Sequence, residues 1–224
     1  MLNIAKKEIE KNFPYFILGF QDGLVNVFGV IMAVAVGTGN VAVTILAGLA
    51  ATFAESVSMG AVAYTSTKAE RALNEKKFAE LNKKSRNSLK MHIKHVLKSL
   101  DMKEREANEI ASIMSKNKKA SLNFLISNEM KLSPEMKNPL KYGIIVLLSS
   151  FIGSFVPLIS FLFFPIKMAI IYTILFCAIC LFFVGVYKSR LYKTNPLKEG
   201  LELLIIGMTS AFIGFITGYM FGAK

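Results

Sequence analysis

Five uninterrupted apolar runs, each long enough to cross a bilayer as a helix, constrain this 224-residue chain more than anything else in it. They extend from about Phe13 to Val36, Val41 to Thr65, Tyr142 to Phe164, Ile166 to Tyr187 and Leu201 to Gly222. A helix needs ~20 apolar residues to cross ~30 Å of hydrocarbon. Helices and closed barrels both satisfy their backbone groups without water, but a barrel writes alternating segments of about ten residues, a pattern not seen here. With 53% hydrophobic residues and a mean hydropathy of +0.47, the chain is expected to be an all-α polytopic membrane protein of five transmembrane helices. Gly37-Thr38-Gly39-Asn40 separates the first two runs and Pro165 the third and fourth, so both pairs are expected to form antiparallel hairpins. The first run exceeds the apolar core of a signal peptide, carries Asp22 and lacks a small-residue cleavage site, so it is read as a retained span.

Positive charge gives the topology. Of 27 Lys and Arg, 25 lie before the first run, between the second and third, or between the fourth and fifth. Only Lys167 and Lys224 fall on the other side. Lys and Arg stay cytoplasmic, so the N-terminus, residues 66–141 and the 188–199 loop are expected inside and the C-terminus outside or lumenal. The formal charge of +12 then needs no nucleic acid, only topology and contact with the lipid bilayer. Three segments result: 1–65 with spans one and two, a basic helical insert at 66–141, and 142–224 with spans three to five.

The insert carries 18 basic and 9 acidic residues and keeps a helical apolar period. Thr67 to Ser85 is expected to continue the second span. Leu89, Ile93, Val96, Leu97 and Leu100 mark a second helix. Asp101, with Glu104 three residues on, reads as the N-cap of a third helix reaching about Ser115. Lys119 to Met130 reads as a fourth, with Ser133-Pro134 and Asn138-Pro139 breaking the chain before the third span. His92 and His95 could pair on a metal but read as a solvated face. Met102 and Met114 read as core, and Cys177 and Cys180 as small buried apolar residues of the fourth span.

Two acids lie inside the apolar runs. A carboxylate near mid-bilayer costs at least ~3 kcal/mol on insertion scales, which makes such residues functional candidates. Asp22 is in the first span, with Asn26 one turn on and on the same face; Glu55 is in the second, sharing a face with Ser58 and Met59. Carboxylates suit hard cations or protons, and a thioether shifts preference toward softer first-row metals such as Fe²⁺. Glycines in the last span, including Gly207, Gly214, Gly218 and Gly222, read as helix packing inside the chain or as a dimer seam.

Asp22-Gly23-Leu24-Val25, the glycine hairpin, Ala54-Glu55-Ser56-Val57-Ser58-Met59-Gly60-Ala61, Tyr64-Thr65-Ser66 and Asn128-Glu129-Met130-Lys131-Leu132 resemble the vacuolar iron transporter family. So do Gly153 and Pro157-Leu158 and the glycine-spaced last span, so the resemblance covers nearly the whole chain. It implies a homodimer with the pathway between the two first helices, and export of Fe²⁺, or Mn²⁺ and other divalent ions, from the cytoplasm in exchange for protons. It places the family's intramembrane aspartate at Asp22 and its methionine at Met59. The chain departs from the pattern where Val62-Ala63 stand in place of a Gly-Glu pair, with Glu55 as the substitute carboxylate on the same helix. It departs again where Lys83, Lys84, Arg86 and Lys90 crowd a region the family fills with acids. Glu70, Glu75, Glu80, Glu104, Glu109, Glu129 and Met130 are the metal ligands the insert could still offer.

The chain lacks a nucleotide loop and a nucleophile elbow, so no enzyme and no bound cofactor are expected, and protons rather than ATP would drive the ion. Two other readings stay open: a divalent-ion transporter without iron preference, and a membrane anchor whose basic insert binds anionic lipid or an acidic partner. Abundant Lys, Ile and Asn with no Trp fit a prokaryote and hence the cell membrane, the vacuolar membrane being the eukaryotic counterpart.

Overall fold

The computed structural model describes residues 2–128 and 137–222, with side chains from Asn12 onward. The chain divides into two compact units, one of residues 1–64 and 140–224 and one of residues 65–139. Every regular element among the described residues is helical.

The first unit holds α1 (Leu2–Thr38), the start of α2 (Val41–Asn82), α6 (Pro139–Phe155), α7 (Ile159–Phe163), α8 (Ile166–Tyr192) and α9 (Pro196–Phe221). Five stretches are long and apolar enough to cross a membrane: Asn12–Thr38, Val41–Asn82, Pro139–Phe163, Ile166–Tyr192 and Pro196–Phe221. Phe163, Leu46 and Phe221 are 74, 70 and 81% exposed, an outward apolar surface that a water-soluble bundle would bury.

Local chemistry sets the turns. Gly39 ends α1 at φ +60, a left-handed conformation that glycine adopts without a steric penalty, and its N–H bonds the Ala35 carbonyl. Asn40 then accepts from the Val43 N–H as α2 begins. The third span is broken: Val156–Leu158 forms a 3-10 turn because Pro157 has no N–H to donate, and Thr173 of α8 donates to the Pro157 carbonyl at 3.2 Å. Pro165 stands before α8. The fourth helix runs to Tyr192, five residues past its expected end, until Lys193 turns left-handed at φ 53. The fifth begins at Pro196, five residues before its expected start, capped by the Asn195 side chain, which accepts from the Leu197 and Lys198 N–H groups. Both ends lie in polar sequence, where capping rather than hydropathy fixes the boundary.

α9 packs along both α1 and α8. A Cβ on Gly214 or Gly218 would collide with the Gly29 or Ala33 carbonyl oxygen of α1, and one on Gly207 with Leu181 of α8. The glycines of the last span therefore serve packing inside the chain. α6 approaches α1 as closely, with Gly153 against the Phe20 carbonyl and Gly23 against Ser150. Two apolar clusters fill the remainder, one around Leu24, Phe28, Met32, Cys177 and Leu181, the other around Val27, Ile31, Leu158 and Phe161.

The second unit comprises the far part of α2 with α3 (Arg86–Ser99), α4 (Glu104–Met114) and α5 (Lys118–Asn128) around Leu81, Leu89, Ile93, Leu97, Ala107 and Leu125. Met102 and Met114 pack against this core. The expected capping role of Asp101 is overturned. Asp101 is left-handed, at φ 61, and closes α3: its N–H bonds the Lys98 carbonyl and the Met102 N–H bonds the Leu97 carbonyl. This is a Schellman arrangement. Lys103 precedes α4 without a side-chain cap, and Glu104 turns to lysines of α3 instead of reaching back.

Candidate functional site

The first two spans bring one polar cluster together. Asp22 and Asn26 lie one turn apart on α1, and Glu55 comes from α2. Asn26 Nδ2 donates to Glu55 Oε1 at 3.0 Å, which sets the Glu55 carboxylate beside the face of α1 that carries Asp22. Asp22 lies within the apolar stretch of α1, not at its end. Asp22 and Glu55 are half-buried and Asn26 is exposed. Two acids and an amide oxygen are hard donors suited to a divalent cation, and the same acids can carry protons.

The other sequence candidates around this cluster separate. Met59, one turn along α2 from Glu55, is half-buried, whereas Ser58 is exposed. Two residues missed by sequence reasoning stand nearby. Ser150 and Ser154 of α6 are fully buried, and their hydroxyl oxygens have no hydrogen-bond partner among the protein atoms. A Cβ on Gly23, the neighbour of Asp22, would lie 2.9 and 2.6 Å from those two oxygens. Their i, i+4 spacing inside an apolar run was the available signal.

The acids of the basic unit are scattered and largely occupied. Glu70 pairs with Lys137 at 3.2 Å and Glu75 with Arg71 at 2.8 Å. Glu104 pairs with both Lys94 and Lys98 at 2.6 Å, and these ammonium groups hold its carboxyl down at about 2. Glu80 and Glu109 are exposed. Glu129 and Met130 lie outside the described residues. His92 meets the Lys84 ammonium, and His95 is exposed. Among the described residues, no three of His, Cys, Asp and Glu gather where a metal could be held. Cys177 is fully buried in an apolar cluster, with Cys180 packed against it.

Five helices long and apolar enough to cross a membrane, with acidic and amide side chains meeting between the first two, define an integral membrane protein. The model of the VIT family matches residues 14–219, and the chain belongs to that family. Similar proteins include vacuolar iron transporter 1 of Arabidopsis thaliana, 23% identical over 208 residues, covering 89% of this chain and 82% of the relative. The vacuolar iron transporter of Plasmodium falciparum (isolate 3D7) is 28% identical over 222 residues, covering 92 and 81%. Vacuolar iron transporter 1 of Tulipa gesneriana is 26% identical over 221 residues, covering 92 and 87%.

Proposed function

We propose that the protein exports Fe²⁺ or Mn²⁺ from the cytoplasm in exchange for protons, with Asp22 and Glu55 as the groups that carry both. The Asn26–Glu55 hydrogen bond, which joins the polar face of α1 to the carboxylate of α2, supports this reading most directly. Two carboxyls in a low-dielectric span need either a proton or a cation upon them. A divalent ion and a proton therefore compete for the same oxygens, the minimum for exchange. Asn26, which donates to Glu55, orients that carboxylate and can turn its amide oxygen to the ion. Met59 supplies the soft donor that favours Fe²⁺.

The active form is a homodimer joined along α1. Leu18, Asp22, Asn26 and Val30 follow one another at four-residue spacing, and Leu18 and Val30 are 52 and 40% exposed. A second copy covering that face would shield Asp22 and Asn26 from lipid. The basic unit and the N-terminus lie in the cytoplasm by the asymmetry of Lys and Arg.

The test is ion flux into proteoliposomes under an imposed proton gradient. Wild type moves Fe²⁺ and protons in opposite directions, Asp22→Asn stops both, and Met59→Ala keeps flux while losing preference for Fe²⁺ over Mn²⁺. Wild-type flux no greater than in empty liposomes sinks the reading; unchanged ion preference in Met59→Ala leaves a divalent transporter without an iron bias.

A further inference from the structure

Along the outside of the first unit, α1 and α8 leave an apolar groove of about 230 Å³. Phe13, Phe16 and Phe20 form one wall, and Phe183 and Tyr187 the other. The Phe13 and Tyr187 rings, with centroids 4.9 Å apart, close the end where α1 enters its span and α8 leaves it. Arg190 stands one turn beyond Tyr187, on the face of α8 that continues the groove wall. It is exposed and has no ion-pair partner among the described residues, as does Lys193 where the helix ends. Lys188 differs, because Glu199 of α9 neutralises it at 3.2 Å.

We propose that this groove and Arg190 form a binding site for an anionic glycerophospholipid. One acyl chain lies between the phenylalanine wall and Phe183, and the phosphate sits on the guanidinium above Tyr187. The occupant follows from the two ends. The groove is apolar along its length, which fits a hydrocarbon chain. Its mouth opens on Arg190 and Lys193, which pair with no acid among the described residues, and a guanidinium binds phosphate oxygens in a fork. A zwitterionic headgroup brings its own ammonium toward Arg190 and Lys193, whereas an anionic one brings net negative charge. Phe20 lies two residues before Asp22, so the lipid rests on the helix that carries the candidate ion site. The proposal does not depend on which ion is carried, and its test involves no flux.

Full-length protein in detergent is titrated with phosphatidylglycerol and, separately, with phosphatidylcholine of the same chains. Thermal unfolding and native mass spectrometry report binding. Phosphatidylglycerol raises Tm and stays bound; phosphatidylcholine does so markedly less. Arg190→Gln weakens phosphatidylglycerol binding about fivefold, the effect of one cation near an anionic lipid, and leaves phosphatidylcholine unchanged. Phe183→Ala weakens both. Lys167→Gln, at the opposite end of α8, alters neither. Equal binding of the two lipids by wild type overturns the proposal. So does full retention of phosphatidylglycerol by Arg190→Gln, or a loss in Lys167→Gln as large as in Arg190→Gln.

Discussion

Asn26 and Glu104 show how differently a carboxylate is held in the two settings of this chain. Asn26 donates to Glu55 inside a span, where little else competes for that oxygen. A hydrogen bond to a charged group is worth ~1.5–3 kcal/mol, so Asn26→Ala is expected to slow metal flux about tenfold while the protein still folds; liposome flux measures it. Glu104 is held by two lysines at the exposed surface. Its folded value of about 2 lies below the ordinary 4.5, so the folded state binds this proton less readily than the unfolded one. The stabilisation is fully present above pH 4.5 and is lost as pH falls toward 2. Tm followed across that window should drop less steeply in Glu104→Gln than in wild type. The sequence made Asp22, Asn26 and Glu55 legible because a polar residue in an apolar run has no solvent to explain it. Ser150 and Ser154 were not legible, because a lone hydroxyl commonly satisfies itself on its own helix and only coordinates show that these do not.

At the scale of elements, hydropathy located the five spans, while the ends depended on caps that hydropathy does not see. Asp101 illustrates the difficulty. Asp with Glu three residues on is a helix-start pattern, yet an aspartate also tolerates the left-handed geometry that ends a helix, and here the preceding helix claimed it. Asp101→Gly should therefore stabilise the basic unit by about 1 kcal/mol, seen as slower amide exchange in α3, whereas a true N-cap would lose stability on the same change. The contact of α9 with α1 is less forgiving. Gly214→Ala drives a methyl into the Gly29 carbonyl and should cost at least ~1–3 kcal/mol, read as a lower Tm in detergent. The break at Val156–Leu158 was foreshadowed by Pro157, but a proline inside a span can also simply kink it, so the short 3-10 turn needed the structure.

For the whole molecule, the distribution of Lys and Arg carries an orientation that hydropathy cannot supply. A reporter fused after α9 should read as outside or lumenal, and one inserted between α4 and α5 as cytoplasmic. If two copies meet along α1, Leu18→Cys cross-links copy to copy under mild oxidation, and Phe212→Cys, which is more exposed but on α9, does not. The glycines at Gly23, Gly153, Gly214 and Gly218 bear on how such an assembly could work. They bring α1 against α6 and α9 backbone to backbone, with no layer of side chains between to act as a bearing. Sliding or rolling of α1 would lift carbonyls out of contact on two sides at once. α1, α6 and α9 thus pack as a single block. Glu55 rides on α2, and α2 in turn meets α6 closely, with Gly60 and Gly143 each against the other's carbonyl.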